Sequence, residues 1–157
     1  MKLPQHTAFS VFIAGLLYMI CKSWAISLSC VISGIFVDLD HVIDVVREHG
    51  RDVNIKDFFE ICHNAQFNRI ILLFHGWEWL PLLAITAWLT GGNPWVTGTL
   101  IGLGQHLVLD AYANSSNFST YSLIWRWKND FHFDTLFPKM RSNKYAYGRY
   151  LSSRFNQ

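Results

Sequence analysis

Charge is scarce in this chain, and its scarcity narrows the class of protein before any motif is read. Only 15% of the 157 residues are Asp, Glu, Lys or Arg, against roughly 25% in an ordinary soluble domain. The net charge of +2 is too weak to argue for nucleic acid as a partner. Cys21, Cys30 and Cys62 form no C-x-x-C pair and are odd in number, which argues against a disulfide framework or a cysteine-based metal site. They are expected to be small apolar fillers. No small-x-small cleavage site follows the first apolar run, Ala8–Ile20, so that run is expected to be retained rather than removed as a signal peptide.

What the chain has in excess is apolar surface, 51% of its residues, with 16% aromatic. Four apolar runs follow one another: Ala8–Ile20, Trp24–Val37, Ile70–Leu89 and Trp95–Ala113. Cys21-Lys22-Ser23 and Gly91-Gly92-Asn93-Pro94 supply turns between them. Runs three and four have about the 20 residues that a bilayer crossing needs. The first two reach that length if they extend through Pro4–Cys21 and Ser23–Val42. All but Lys22 of the 13 Lys and Arg residues fall on the side holding the N-terminus, the Asp38–Arg69 connection and the tail. By the positive-inside rule that side is cytoplasmic. Gly98, Gly102 and Gly104 suit close helix packing.

The expected fold is therefore all-α: an integral membrane four-helix bundle over residues 1–113 with cytoplasmic amphipathic segments. A cytoplasmic interfacial tail follows over 114–157. A soluble bundle with buried core helices is the competing architecture. The segment Asp57–Phe67 reads as amphipathic, with Glu60 and His63 on a solvated face.

The ionisable residues within the apolar runs gather at one end. His6 opens the first run, and Asp38-Leu39-Asp40-His41 closes the second. His75 and Glu78 lie about 7 Å and about 12 Å into the third at helical rise. His106 and Asp110 approach the same face in the fourth, four residues apart and so on one helical face. Charged groups in an apolar setting are costly unless they pair or bind a metal. Imidazoles with carboxylates suit zinc, manganese or iron, with open positions held by water. The candidate metal ligands are His6, Asp38, Asp40, His41, His75, Glu78, His106 and Asp110, enough for one or two ions. Bis-histidine haem ligation would not want Asp38, Asp40, Glu78 and Asp110 nearby. A proton or ion pathway would need polar groups through the outer half as well, and that half is bare.

These elements together resemble a family of small bacterial membrane-bound metal-dependent hydrolases, the LexA-binding, inner-membrane-bound hydrolase-like proteins. The family's pattern has an early His, then Gly-x-x-Pro-Asp-x-Asp-His, a third-run His, and His-x-x-x-Asp in the fourth run. Here these read His6, then Gly34-Ile35-Phe36-Val37-Asp38-Leu39-Asp40-His41, then His75, then His106-Leu107-Val108-Leu109-Asp110. The order of elements is also similar, more distantly, to zinc-dependent phospholipase C. The likeness covers roughly Leu3 to Asn114. Val37 stands where the family often has Pro, and His75-Gly76-Trp77-Glu78 replaces a His-x-x-x-x-His-Ser form. The resemblance implies a bacterial inner-membrane hydrolase with Glu78 standing in for one histidine ligand.

The expected chemistry is hydrolysis at the cytoplasmic leaflet, with Asp38, Asp40 or Glu78 as ligand, bridge or general base. A membrane lipid or lipid phosphate is the expected substrate, its head group near Arg126 and Lys128. A non-enzymatic metal-binding membrane protein, scaffold or ion carrier, is the alternative.

Overall fold

The computed structural model describes residues 3–114, 117–138 and 140. Among them the chain is all-α, without a strand, apart from an isolated antiparallel bridge between Arg69 and His132. The basic stretch 141–157, with Lys2 and Lys139, lies outside the described residues. Helix α1 (Leu3–Cys21) turns at Lys22-Ser23 into α2 (Trp24–Phe36), where the Ser23 hydroxyl accepts the Ile26 N–H as an N-cap. A 3₁₀ turn, Val37–Leu39, tightens the chain before α3 (Asp40–His49). Gly50, at φ 87°, ends α3 in a backbone conformation that favours glycine. Helix α4 (Ile55–His63) starts at its Asn54 cap, α5 spans Trp79–Leu89, and α6 runs Pro94–Asn114. Beyond a 3₁₀ turn at Phe118–Tyr121 come two short helices, α7 (Leu123–Lys128) and α8 (Phe133–Leu136).

The two ends of the molecule are built on opposite principles. In the bundle of α1, α2, α5 and α6, bulky apolar side chains point outward: Phe12, Ile20, Trp24, Phe36, Trp88 and Leu89 are all exposed. Small and polar residues such as Ser10, Ser29, Gly98 and Gly102 face inward. At the other end, Val45, Phe67, Leu72, Tyr121, Phe133 and Phe137 form an ordinary hydrophobic core. Two helical segments, Pro4–Cys21 and Trp24–His49, are long and apolar enough to cross a membrane by length and composition.

Close backbone approach holds the bundle. Helices α2 and α6 share the most extensive helix–helix contact, α1 packs on α2, and α5 on α6. A Cβ on Gly98 would run into Ser29 Oγ and the Ile26 carbonyl; one on Gly102 would meet Ser33 Oγ and the Cys30 backbone. Four-residue spacing on both helices lets small residues oppose small residues. Gly104 differs from the sequence expectation, since a Cβ there would touch only Leu80, in ordinary contact.

The third apolar run is the main correction to the sequence reading. Residues 70–78 are not helical; α5 begins only at Trp79 and has 11 residues, about 16 Å of rise. His75 and Glu78 therefore do not share a helical face, and depths counted along a helix do not apply to them. The reason lies in charged partners that replace the helical ladder. Asp44 accepts the N–H groups of Ile71 and Leu72, and Asp40 accepts that of Phe74. Arg126 donates to the carbonyls of Ile71, Leu72 and His75. Buried backbone groups must be paired somewhere, and here side chains pair them.

Candidate metal centre

Four side chains from three parts of the chain converge where the two halves of the molecule meet. Asp38 comes from the 3₁₀ turn, His75 from the non-helical loop, and His106 and Asp110 from successive turns of α6. Their donor atoms all lie within 4.8 Å of one another. The Nε2 atoms of His75 and His106 are 3.1 Å apart, and Asp38 Oδ1 is 3.3 Å from each. Asp110 Oδ2 is 3.5 Å from His106 Nε2 and 3.7 Å from His75 Nε2. A tetrahedral first-row ion, bound at about 2.0–2.1 Å, holds its ligands roughly 3.3 Å apart.

The tautomers follow from the far side of each ring. His106 Nδ1 lies 2.9 Å from the Gly34 carbonyl, which can only accept, so Nδ1 carries the hydrogen. His75 Nδ1 lies 3.0 Å from Asp40 Oδ2 and likewise donates. Each ring thus turns its Nε2 toward the other, with two carboxylate oxygens beside them. Two imidazoles and two carboxylates in a buried site need positive charge among them, supplied by protons on the rings or by a bound cation. The Asp40–His75 pair is also the carboxylate–histidine arrangement that orients metal-binding imidazoles.

Asp38, Asp40 and Asp110 bring carboxylates to the site, and Arg126, fully buried, brings a guanidinium behind it. Burial lowers the Arg126 guanidinium from 12.5 to about 10, against the attraction of Asp40 and Glu78, so it stays charged at neutral pH. Burial likewise pushes the Tyr121 phenol up, so it stays neutral.

The remaining sequence candidates take other places. His6 Nε2 donates to Asp110 Oδ1 at 3.0 Å, and its ring stacks on His106 at 3.9 Å between centroids. Asn114 Nδ2 donates to the same oxygen at 2.8 Å, which leaves Oδ2 to face the cluster. Asp40 is buried behind His75 rather than beside it. His41 lies at the rim, its Nδ1 3.2 Å from the Asp38 carbonyl oxygen and 3.4 Å from Asp40 Oδ1. Asp40, His41 and His75 form a second possible metal grouping. That grouping would need His75 Nδ1, which already bonds Asp40, so one ion position fits the residues better than two.

Glu78 stands apart from the cluster. It accepts from Ser122 Oγ at 2.6 Å and from the N–H groups of Leu123 and Ile124, and so anchors the start of α7. Burial alone would raise its carboxyl; the hydrogen bonds from Ser122 and these amides outweigh that and hold it below the ordinary value. Arg126 corrects the head-group assignment: its guanidinium is inside the protein on carbonyl oxygens, where no lipid phosphate can reach it. Lys128 is exposed. Sequence reasoning gave Arg126 a different role and passed over Asp44 and Gly76. Asp44 had a signal, its four-residue spacing from Asp40 in an apolar segment. A Cβ on Gly76 would press into Leu123 and the Glu78 carboxylate, and those side chains would have to shift.

Comparison with family models, with curated proteins and with solved structures gave no match in any of the three.

Proposed function

We propose that the protein is a membrane-embedded metal-dependent hydrolase acting on a lipid or lipid phosphate at the cytoplasmic leaflet. The observation that carries this reading is the pair of inward-facing Nε2 atoms, 3.1 Å apart, flanked by Asp38 and Asp110. A bound zinc, manganese or iron ion would supply Lewis acidity and a water of lowered pKa. The chain's own residues do the rest. Asp40 and the Gly34 carbonyl fix the two imidazoles, while His6 and Asn114 turn Asp110 so that one oxygen faces inward.

Access favours catalysis over a sealed clamp. The Asp38 side chain is 26% exposed and that of His41 24%, while His75 and His106 are fully buried. Phe36, Leu39 and Phe74, neighbours of these residues in the chain, are exposed apolar side chains. An amphiphile could set its polar group at Asp38 with its chains along that surface, and Lys128 remains as a cation for its head group. Outward-facing apolar side chains on α1, α2, α5 and α6 support bilayer embedding. The second reading, a non-catalytic metal clamp, is favoured by the count of four protein donors, which would saturate a tetrahedral ion.

Metal-loaded protein incubated with mixed bacterial lipids, with products followed by mass spectrometry, tests the proposal. Lipid should be consumed, the reaction should stop on chelation, and zinc or manganese should restore it. Consumption of a soluble phosphodiester but no lipid would remove the lipid part. No turnover, with a bound ion lacking exchangeable water, would establish the clamp instead.

A further inference from the structure

We infer that Arg126 is a positioning residue for the metal centre: it fixes the loop that carries His75, and so makes ion-site geometry depend on the segment after α6. The inference rests on reading the Asp38–His75–His106–Asp110 cluster as an ion site.

A histidine presented from irregular backbone is only as well placed as that backbone. His75 is gripped at both ends. Its ring donates to Asp40 at 3.0 Å, and its carbonyl oxygen accepts from Arg126 Nη2 at 2.6 Å. Arg126 Nη1 takes two more carbonyls of the same loop, Ile71 at 2.6 Å and Leu72 at 3.0 Å. Three carbonyls spread along five residues need a planar fork; a single ammonium cannot span them.

The guanidinium is itself held by the docking of α7. Its Nε donates to the Ser122 carbonyl, while Glu78 holds Ser122, Leu123 and Ile124 at the start of that helix. The Leu123 side chain lies over Gly76, next to His75, in the space a Cβ there would take. The loop and α7 thus lock each other at two points, one on each side of the ligand. An ion drawn to His75 Nε2 should tighten this lock, and an intact lock should favour the ion, since such coupling is reciprocal.

Full-length Arg126→Met and Arg126→Lys proteins in detergent, titrated with Co²⁺ by calorimetry and visible absorption, test this. Hydrogen exchange at Ile71, Leu72 and Phe74 is followed with and without the ion. Thr120→Val is the control: it loses a buried bond to the Leu136 carbonyl in the same segment but touches no loop carbonyl. Both Arg126 variants should bind Co²⁺ about 10- to 100-fold more weakly, with an altered visible band. Ion-induced protection of the loop amides should disappear in them. Thr120→Val should bind within about twofold of the wild type. Where Arg126→Met does not fold, Arg126→Lys, which keeps the buried charge, gives the same reading. Wild-type affinity and spectrum in the Arg126 variants would overturn the inference while leaving the metal centre intact. An equal loss in Thr120→Val would overturn it too, as general loosening. No Co²⁺ binding by the wild type would remove the metal centre itself, and the inference with it.

Discussion

Replacing Asp110 by Asn should pull apart two quantities that a metal ligand normally moves together. The Asp110 Oδ1 accepts from His6 Nε2 at 3.0 Å and from Asn114 Nδ2 at 2.8 Å. An asparagine has one carbonyl oxygen, and two donors at that pole fix it there. Its NH₂ group is then aimed at the Nε2 atoms of His106 and His75, where Asp110 Oδ2 now stands 3.5 and 3.7 Å away. An amide nitrogen does not ligate a divalent ion, so metal binding should fall to background. Where the two rings are neutral in the ion-free protein, the same NH₂ donates to their Nε2 lone pairs, each bond contributing about 0.5–1.5 kcal/mol. Ion-free stability should therefore hold or rise. With metal at about 100 times Kd the wild type gains about 2.7 kcal/mol, or about 5–11 °C in Tm for a chain of this size. Asp110→Asn should gain nothing. The assay is thermal unfolding in detergent with chelator or with zinc or manganese, beside elemental analysis. Stoichiometric metal in the variant would refute the ligand assignment. A chelated variant weaker than the chelated wild type by about 2 kcal/mol or more would mark Asp110 as the partner of a protonated histidine.

Further outcomes follow from the packing and from Glu78. Gly102→Val should lower stability by about 1–3 kcal/mol, because its side chain drives α6 off the Cys30 backbone, whereas Gly104→Ala should be tolerated; thermal unfolding in detergent separates them. Glu78→Gln should leave metal content unchanged and loosen α7. The folded carboxyl lies below its ordinary 4.5, so its contribution is complete above that pH and is lost as pH falls through the folded value. The wild-type Tm should drop with acid in that window, and the variant should lack that part of the drop. If the bundle crosses a membrane as proposed, Asn93→Cys should label only from the side opposite Lys128→Cys, and labelling of both from one side would sink the topology.

Much of the bundle and most of the cluster could be read in the sequence because both depend on local spacing. His106 and Asp110 lie four apart in a long helix, and α6 delivers them as that spacing requires. Asp38 and Asp40, two residues apart, would point to different sides of a regular helix, and the structure gives them separate places. The 3₁₀ turn at Val37–Leu39 needs no proline, and it sends Asp38 to the cluster and Asp40 behind His75. What could not be read was the loop. Hydropathy across 70–89 is that of one apolar segment, and nothing local in Ile70–Phe74 forbids a helix. The residues that hold it open are 27 to 55 positions away in the chain. Arg126 looked like an interfacial cation because it lies between two tryptophans, and the partners that bury it are carbonyl oxygens, which sequence patterns do not mark.

Those distant charges also account for why the loop is kept. A helix through 70–78 would pair its own backbone and need no ion inside the protein. The observed conformation instead requires Asp40, Asp44 and Arg126 to be buried, each at a desolvation cost. What it secures is the freedom of His75 from a helix face. Its ring lies between Asp40 on one nitrogen and the cluster on the other, with Tyr121 at 6.4 Å between ring centroids and His106 at 5.0 Å. A histidine held that way has one open direction, toward Asp38, His106 and Asp110. The buried charges therefore serve the orientation of one imidazole, and an ion among the four donors is what would make that orientation favourable.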